Sequence, residues 1–128
     1  MMEEVEAQLP NGFHDGVLRH LAIDYAAATL TLDVSFWIGE VGTETVETSR
    51  LGRVTCSGVA FLAIDPPIEP PFGPIEGTII DSGSGAPITR PITLPPLPGD
   101  TSLYWLFLDP GQTFIRFAAR AAALEWLS

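Results

Sequence analysis

Ten residues, "TLTLDVSFWI" from Thr29 to Ile38, constrain this chain more than any other stretch. Leu30, Leu32, Val34, Phe36 and Ile38 fall on one side of an extended chain, and Thr29, Thr31, Asp33, Ser35 and Trp37 on the other. Side chains alternate across a strand, so the aliphatic face must lie on a core while the second face meets water. Trp37 is the odd member of the polar face. It is either covered by another segment of the chain, the reading favoured here, or part of a binding surface.

Residues 17–25 alternate less cleanly. Val17, Leu21, Ile23 and Tyr25 are expected on one face, interrupted by Arg19, with Leu18, His20, Ala22 and Asp24 on the other. A short turn near Ala26–Ala27 would join the two runs into an antiparallel hairpin with one face in the core. Further on, Arg53–Ile64 reads as a third core strand, halted at Asp65–Pro66–Pro67 because proline has no ladder donor. Thr43–Thr48, rich in Glu and Thr, suits an exposed edge strand. Residues 65–101 hold ten of the twelve prolines and read as a long Pro/Gly-rich connection laid over the sheet, with "IEGTIID" as a short strand inside it.

"SLYWLFLD", Ser102–Asp109, returns to strand chemistry, and Asp109–Pro110–Gly111–Gln112 is a turn signal. Thr113–Ala118 alternates again, with Arg116 opposite Ile115 and Phe117. Residues 120–127 leave two alternatives: an Ala-rich helix by propensity, or a strand in which a one-residue bulge restores the alternation of Leu124 and Trp126. The fold class expected is mainly β, an antiparallel curved sheet, two-layer sandwich or partly open barrel in a single domain spanning 1–128.

At 128 residues and 46% hydrophobic content, the chain can bury one sound core. Its longest apolar run, Gly58–Ile64, is far short of the roughly 20 residues a spanning helix needs. The first ten residues, "MMEEVEAQLP", are acidic, open to disorder, and lack the basic-then-apolar order of a secretory signal, so a cytoplasmic location is expected. Sixteen acids face six arginines and no lysine, for a formal net charge of −10. Such a surface repels phosphate backbones and anionic membranes, which excludes nucleic acid and membrane as expected partners and permits a basic protein.

The candidate chemistry is sparse. Cys56 is the one cysteine, so neither an intrachain disulfide nor a cysteine cage can form, and it reads as a small buried hydrophobe. His14–Asp15 is the first candidate site. Neighbours on an extended chain point apart, and His14 and His20 lack the framing of a zinc motif. The pair therefore reads as the start of a strand after an Asn11–Gly12 turn, with Asp15 bonding nearby backbone. "DSGSGAP" at 81–87 resembles a loop tip, followed by proline rather than by a phosphate-cradling helix. "LPPLP" at 94–98 resembles a proline-rich ligand core, but the basic residue such a ligand wants is replaced by Ile92.

"FHDGVLRHLAIDYAAATLTLDVSF" and "RVTCSGVAFLAIDPP" together resemble small bacterial β-rich families of unknown function. Their pattern is a His-Asp start, spaced aliphatics, an acid at the strand end and a "TLTL" return strand. Some families of this appearance are assigned as immunity proteins of polymorphic toxin systems. The resemblance implies a β-rich domain, no cofactor, His14 and Asp15 as recurring features of the strand start, and a strand rather than a helix at 120–127. The function expected is a non-enzymatic interaction domain, in its sharpest form an immunity-type protein binding a basic toxin. Two alternatives stand beside it. One is a small-molecule binding module or enzyme built on His14, Asp15, His20 and Trp37; the other is a homodimer paired through a strand edge.

Overall fold

The computed structural model describes residues 1–39, 49–67, 75–85 and 93–128. They form one short helix, α1 (Glu3–Ala7), and eight strands: β1 (Val17–Asp24), β2 (Thr29–Trp37), β3 (Ser49–Ser57), β4 (Phe61–Asp65), β5 (Gly77–Ser84), β6 (Ser102–Asp109), β7 (Thr113–Ala119) and β8 (Ala121–Trp126). The fold is mainly β. All strand pairs are antiparallel, in one sheet of order β4-β7-β6-β5-β1-β2-β3-β8. The expected edge strand at Thr43–Thr48 lies outside the described residues.

In strand order the sheet is open, with β4 and β8 as its outermost strands. Chain connectivity folds it over. β4 continues β3 and β8 continues β7, and both chains bend at the same place. Across the bend Arg120 N donates to Ser57 O at 3.0 Å and Ala60 N to Ala118 O at 2.9 Å. One half, β1-β2-β3-β8, thus passes into the other, β4-β7-β6-β5, by bent strands at one corner and by the β1–β5 pairing at the other. The inner faces pack together: Leu30, Leu32, Val34, Phe36, Val54 and Cys56 from the first half share one cluster with Ile79, Tyr104, Leu106, Leu108, Ile115 and Phe117 from the second.

Four sequence expectations change. Residues 53–64 do not make one straight strand; Gly58, at φ +62°, breaks it into β3 and β4. The faces assigned to Val17 and Leu18 are wrong in parity, because Arg19 is a bulge: Leu18 pairs with Val34 but His20 with Asp33. Leu18 therefore joins the core and Leu21 and Ile23 still pack against it, while Tyr25 stands 88% exposed. Residues 1–10 are structured. Met2, Val5 and Leu9 are buried with Phe13 in the common core, and the Tyr104 hydroxyl bonds to the Glu6 carboxylate. Finally, Asp81–Ser84 belong to β5 rather than to a loop tip; Gly83 lacks the β-carbon that would stand 3.0 Å from Cζ2 of Trp105.

At 120–127 the strand alternative holds. After the break at Arg120, Ala122, Leu124 and Trp126 return to the core side, and β8 pairs with β3 from Ser57↔Ala121 to Gly52↔Trp126.

Candidate functional site

His14 and Asp15 sit where β1 first meets β5. Asp15 N donates to Ile79 O at 2.9 Å, and Ile79 N donates back to Gly16 O at 2.7 Å. His14 Nδ1 is 3.2 Å from Ile80 O, the extra residue of a bulge in β5, and the carbonyl fixes Nδ1 as the donor in that bond. His14 Nε2 lies 3.5 Å from Asp15 Oδ2. The backbone of Asp15 is left-handed at φ 62°, which an aspartate tolerates better than most side chains. Both side chains are exposed, at 62% and 50%.

The other two candidates stand elsewhere. His20 is opposite Asp33 on the outer face, Asp33 is opposite Arg53, and Arg53 is opposite Glu125, so one row crosses β1, β2, β3 and β8. Arg53 grips Asp33 with two bonds of 2.7 and 3.0 Å. That hydrogen bond, with the charge behind it, holds the Asp33 carboxyl below its ordinary value. Trp37 is half-buried opposite Ser49, and its carbonyl accepts a 3.0 Å bond from Asn11 Nδ2. It lies on the same face as Asp33 but four residues along β2, roughly 13 Å away at the rise of a strand. The four sequence candidates therefore form no common constellation. Residues 68–74 and 86–92 of the proline-rich segment expected to cover Trp37 lie outside the described residues.

Cys56 is buried on the core face, and burial pushes its thiol up to about 12. Among the described residues no group of three or more His, Cys, Asp and Glu stands together as a metal site. No described helix is long and apolar enough to cross a membrane.

The concave feature sequence reading missed is a pocket of about 210 Å³ at the corner of the fold. Its walls come from the end of the β1–β2 hairpin (Ile23, Asp24, Tyr25, Ala28) and from the β3–β4 bend (Val59, Ala60, Phe61, Leu62). Val59 N donates to Ala28 O at 2.9 Å, which ties the two sides together. Asp24 Oδ1 accepts from Ala27 N at 3.1 Å and is thereby fixed in the turn. The one sequence signal was the pair Asp24–Tyr25 at a turn, a place where an aromatic residue gains nothing by exposure.

No family model and no curated protein matches the chain. Among solved structures, an uncharacterised protein from Neisseria gonorrhoeae is similar, at a TM-score of 0.41 and 18% identity over 88% of this chain and 91% of that one. A likeness that weak carries no statement about function.

The charges are distributed unevenly. Each of the five described arginines is engaged within the chain. Arg19 Nε donates to Ser35 Oγ, Arg50 Nε to the Ser128 carbonyl, Arg53 to Asp33 and Arg120 Nε lies 2.8 Å from Asp100 Oδ2. Arg116 is fully buried, 3.9 Å from Asp65 and with its guanidinium 4.8 Å above the Phe114 ring. The sequence had placed Arg116 on the face opposite Ile115 and Phe117. That face is covered, and the arginine lies in it between Ala63 and Trp105 on the neighbouring strands.

Proposed function

We propose that this protein is a non-catalytic interaction domain that binds a basic protein partner. One observation carries the reading: the described arginines are all turned to groups of the chain itself, while the net charge is −10. Among the described residues each arginine is already engaged, so the surface offers a partner mainly carboxylates. A field of one sign speeds encounter with a basic surface and disfavours acidic ones. An immunity-type role in the cytoplasm, in which this surface closes the basic cleft of a toxin, is the sharpest form of the reading.

The test is capture from the host lysate, identification of the bound protein, and titration of the purified pair at low and high salt. A basic partner whose association rate falls steeply with salt supports the proposal. Absence of any such partner, or a salt-indifferent complex, overturns it.

A second reading has its own observation. β4 pairs with β7 alone, β8 with β3 alone, and β1 with β5 only at Val17 and Leu18, so among the described residues several strand edges lack a neighbour. Pairing of such an edge with a second copy would give a homodimer. A monomer by light scattering at high concentration removes that reading.

A further inference from the structure

We infer that the corner pocket takes one cationic side chain, an arginine or a lysine, presented by the partner. The inference rests on the interaction reading above and names the place where it acts. The first argument is size. About 210 Å³ is below the roughly 300–1,000 Å³ of pockets that enclose a whole drug-sized ligand, so a single side chain is the fitting occupant.

The second argument is the chemistry of the walls. Ile23, Val59, Phe61 and Leu62 supply an apolar lining for an aliphatic stem. Asp24 and Tyr25 also line it, and their side chains carry the two groups that attract a cation, a carboxylate by charge and a ring by its π-face. Tyr25 is 88% exposed, the most exposed large hydrophobic residue among those described. An exposed tyrosine beside a pocket is the residue type that anchors interfaces.

Other occupants fit less well. A purely apolar side chain would cover the Asp24 carboxylate without supplying a counter-charge beyond the Ala27 N–H it already accepts from, which costs desolvation energy. An anionic group would meet Asp24 directly. The cation nearest to the bend, Arg120, packs against Gly58 and is turned to Asp100, so it does not neutralise the pocket. The pocket is also built before any partner arrives, by the Val59–Ala28 and Ala27–Asp24 bonds, so little ordering remains to be done on binding.

The experiment is a titration of the ¹⁵N-labelled protein, followed by amide shifts, with n-butylguanidinium and with n-butylurea, its neutral counterpart of the same shape. Asp24→Asn keeps the Oδ1 acceptor for Ala27 and removes only the charge; Tyr25→Leu removes the ring from an exposed position. Saturable shifts confined to residues 23–28 and 59–62 are expected for butylguanidinium. Butylurea, and either variant with butylguanidinium, should bind about two- to fivefold more weakly, the range of an exposed charge contact. Equal binding of the two probes, indifference to Asp24→Asn, or shifts elsewhere would overturn the inference. The two proposals fail separately. A basic partner that binds with the pocket silent leaves the interaction reading standing, and a pocket that selects the cation with no basic partner found leaves only the site.

Discussion

Gly58 and Arg120 face each other across the bend, and the β-carbon that Gly58 lacks would stand 2.7 Å from Cδ of Arg120. The glycine lets one strand turn at φ +62° while the aliphatic stem of the arginine fills the space that a side chain would need. Both long strands change halves of the fold at this point, so the contact sits at the hinge of the architecture. Gly58→Ala is expected to cost about 1–2 kcal/mol for the left-handed backbone alone. In thermal unfolding this should lower the midpoint by several degrees. An unchanged midpoint would mean that the bend relaxes without the glycine.

The Asp33–Arg53 pair predicts an acid-side effect. Arg53 hydrogen-bonds the Asp33 carboxylate and keeps it below its ordinary 3.8, so folding gains from the ionised form. That gain is present above the unfolded value and is lost as pH falls through the lower folded one. Asp33→Asn should therefore lose less stability than the wild type between about pH 5 and pH 2. Chemical denaturation across that range measures the difference, and parallel curves would contradict it.

Tyr104 predicts the opposite end of the scale. Burial first, and then the hydrogen bond to Glu6, raise its phenol above the ordinary 10.0. With its one proton directed to Glu6, the Ser82 hydroxyl at 3.3 Å acts as donor to the phenol oxygen. A raised phenol stabilises the fold fully below the unfolded value and ceases to do so as pH climbs through the folded one. Tyr104→Phe should cost about 1 kcal/mol at neutral pH by the lost bond. It should also flatten the loss of stability above about pH 10. Unfolding midpoints at neutral and alkaline pH give both readings.

Cys56 should behave as an inert side chain. Buried, with its thiol pushed up to about 12, it offers almost no thiolate at neutral pH. Reaction with a chromogenic disulfide reagent is expected to be slow in the native protein and fast in denaturant. Rapid native labelling would show that the β2–β3 region opens readily.

His14→Ala tests the strand start. The 3.2 Å bond to Ile80 O is 62% exposed at the imidazole, so its loss should cost under about 1 kcal/mol. A drop of no more than a few degrees is expected. No change at all would free the pair from a structural role and return attention to it as a contact for a ligand.

Legibility differed from element to element. The Thr29–Trp37 strand was readable because each alternate residue is buried and each other one meets the surface, a pattern local to the strand. β6 was readable for the same reason. The face of β1 was not, because Arg19 bulges against β2 and inverts the parity of every residue before it. The burial of residues 2–13 was equally hidden: an acidic decapeptide shows nothing of the space that Met2, Val5 and Leu9 fill beside Tyr104 and Phe36. Nothing local to Arg116 showed that its strand is covered on both faces.

The candidate site divides in the same way. His14 and Asp15 were visible as an unusual pair, and their placement against Ile79 and Ile80 needed the β1–β5 crossing. Beyond the Asp24–Tyr25 pair on one wall, nothing announced the corner pocket, since its two walls, residues 23–28 and 59–62, are separated by the whole of β2 and β3.

By itself, then, the amino-acid sequence determined the strand class of this protein, its acidity and the burial of its single cysteine, because each depends on composition or on a period of two residues. The tertiary structure decided which face of β1 is inner, where the two long strands bend, and that the hairpin end meets the bend to form a pocket. Those features depend on hydrogen-bond partners dozens of residues away, and no local period records them.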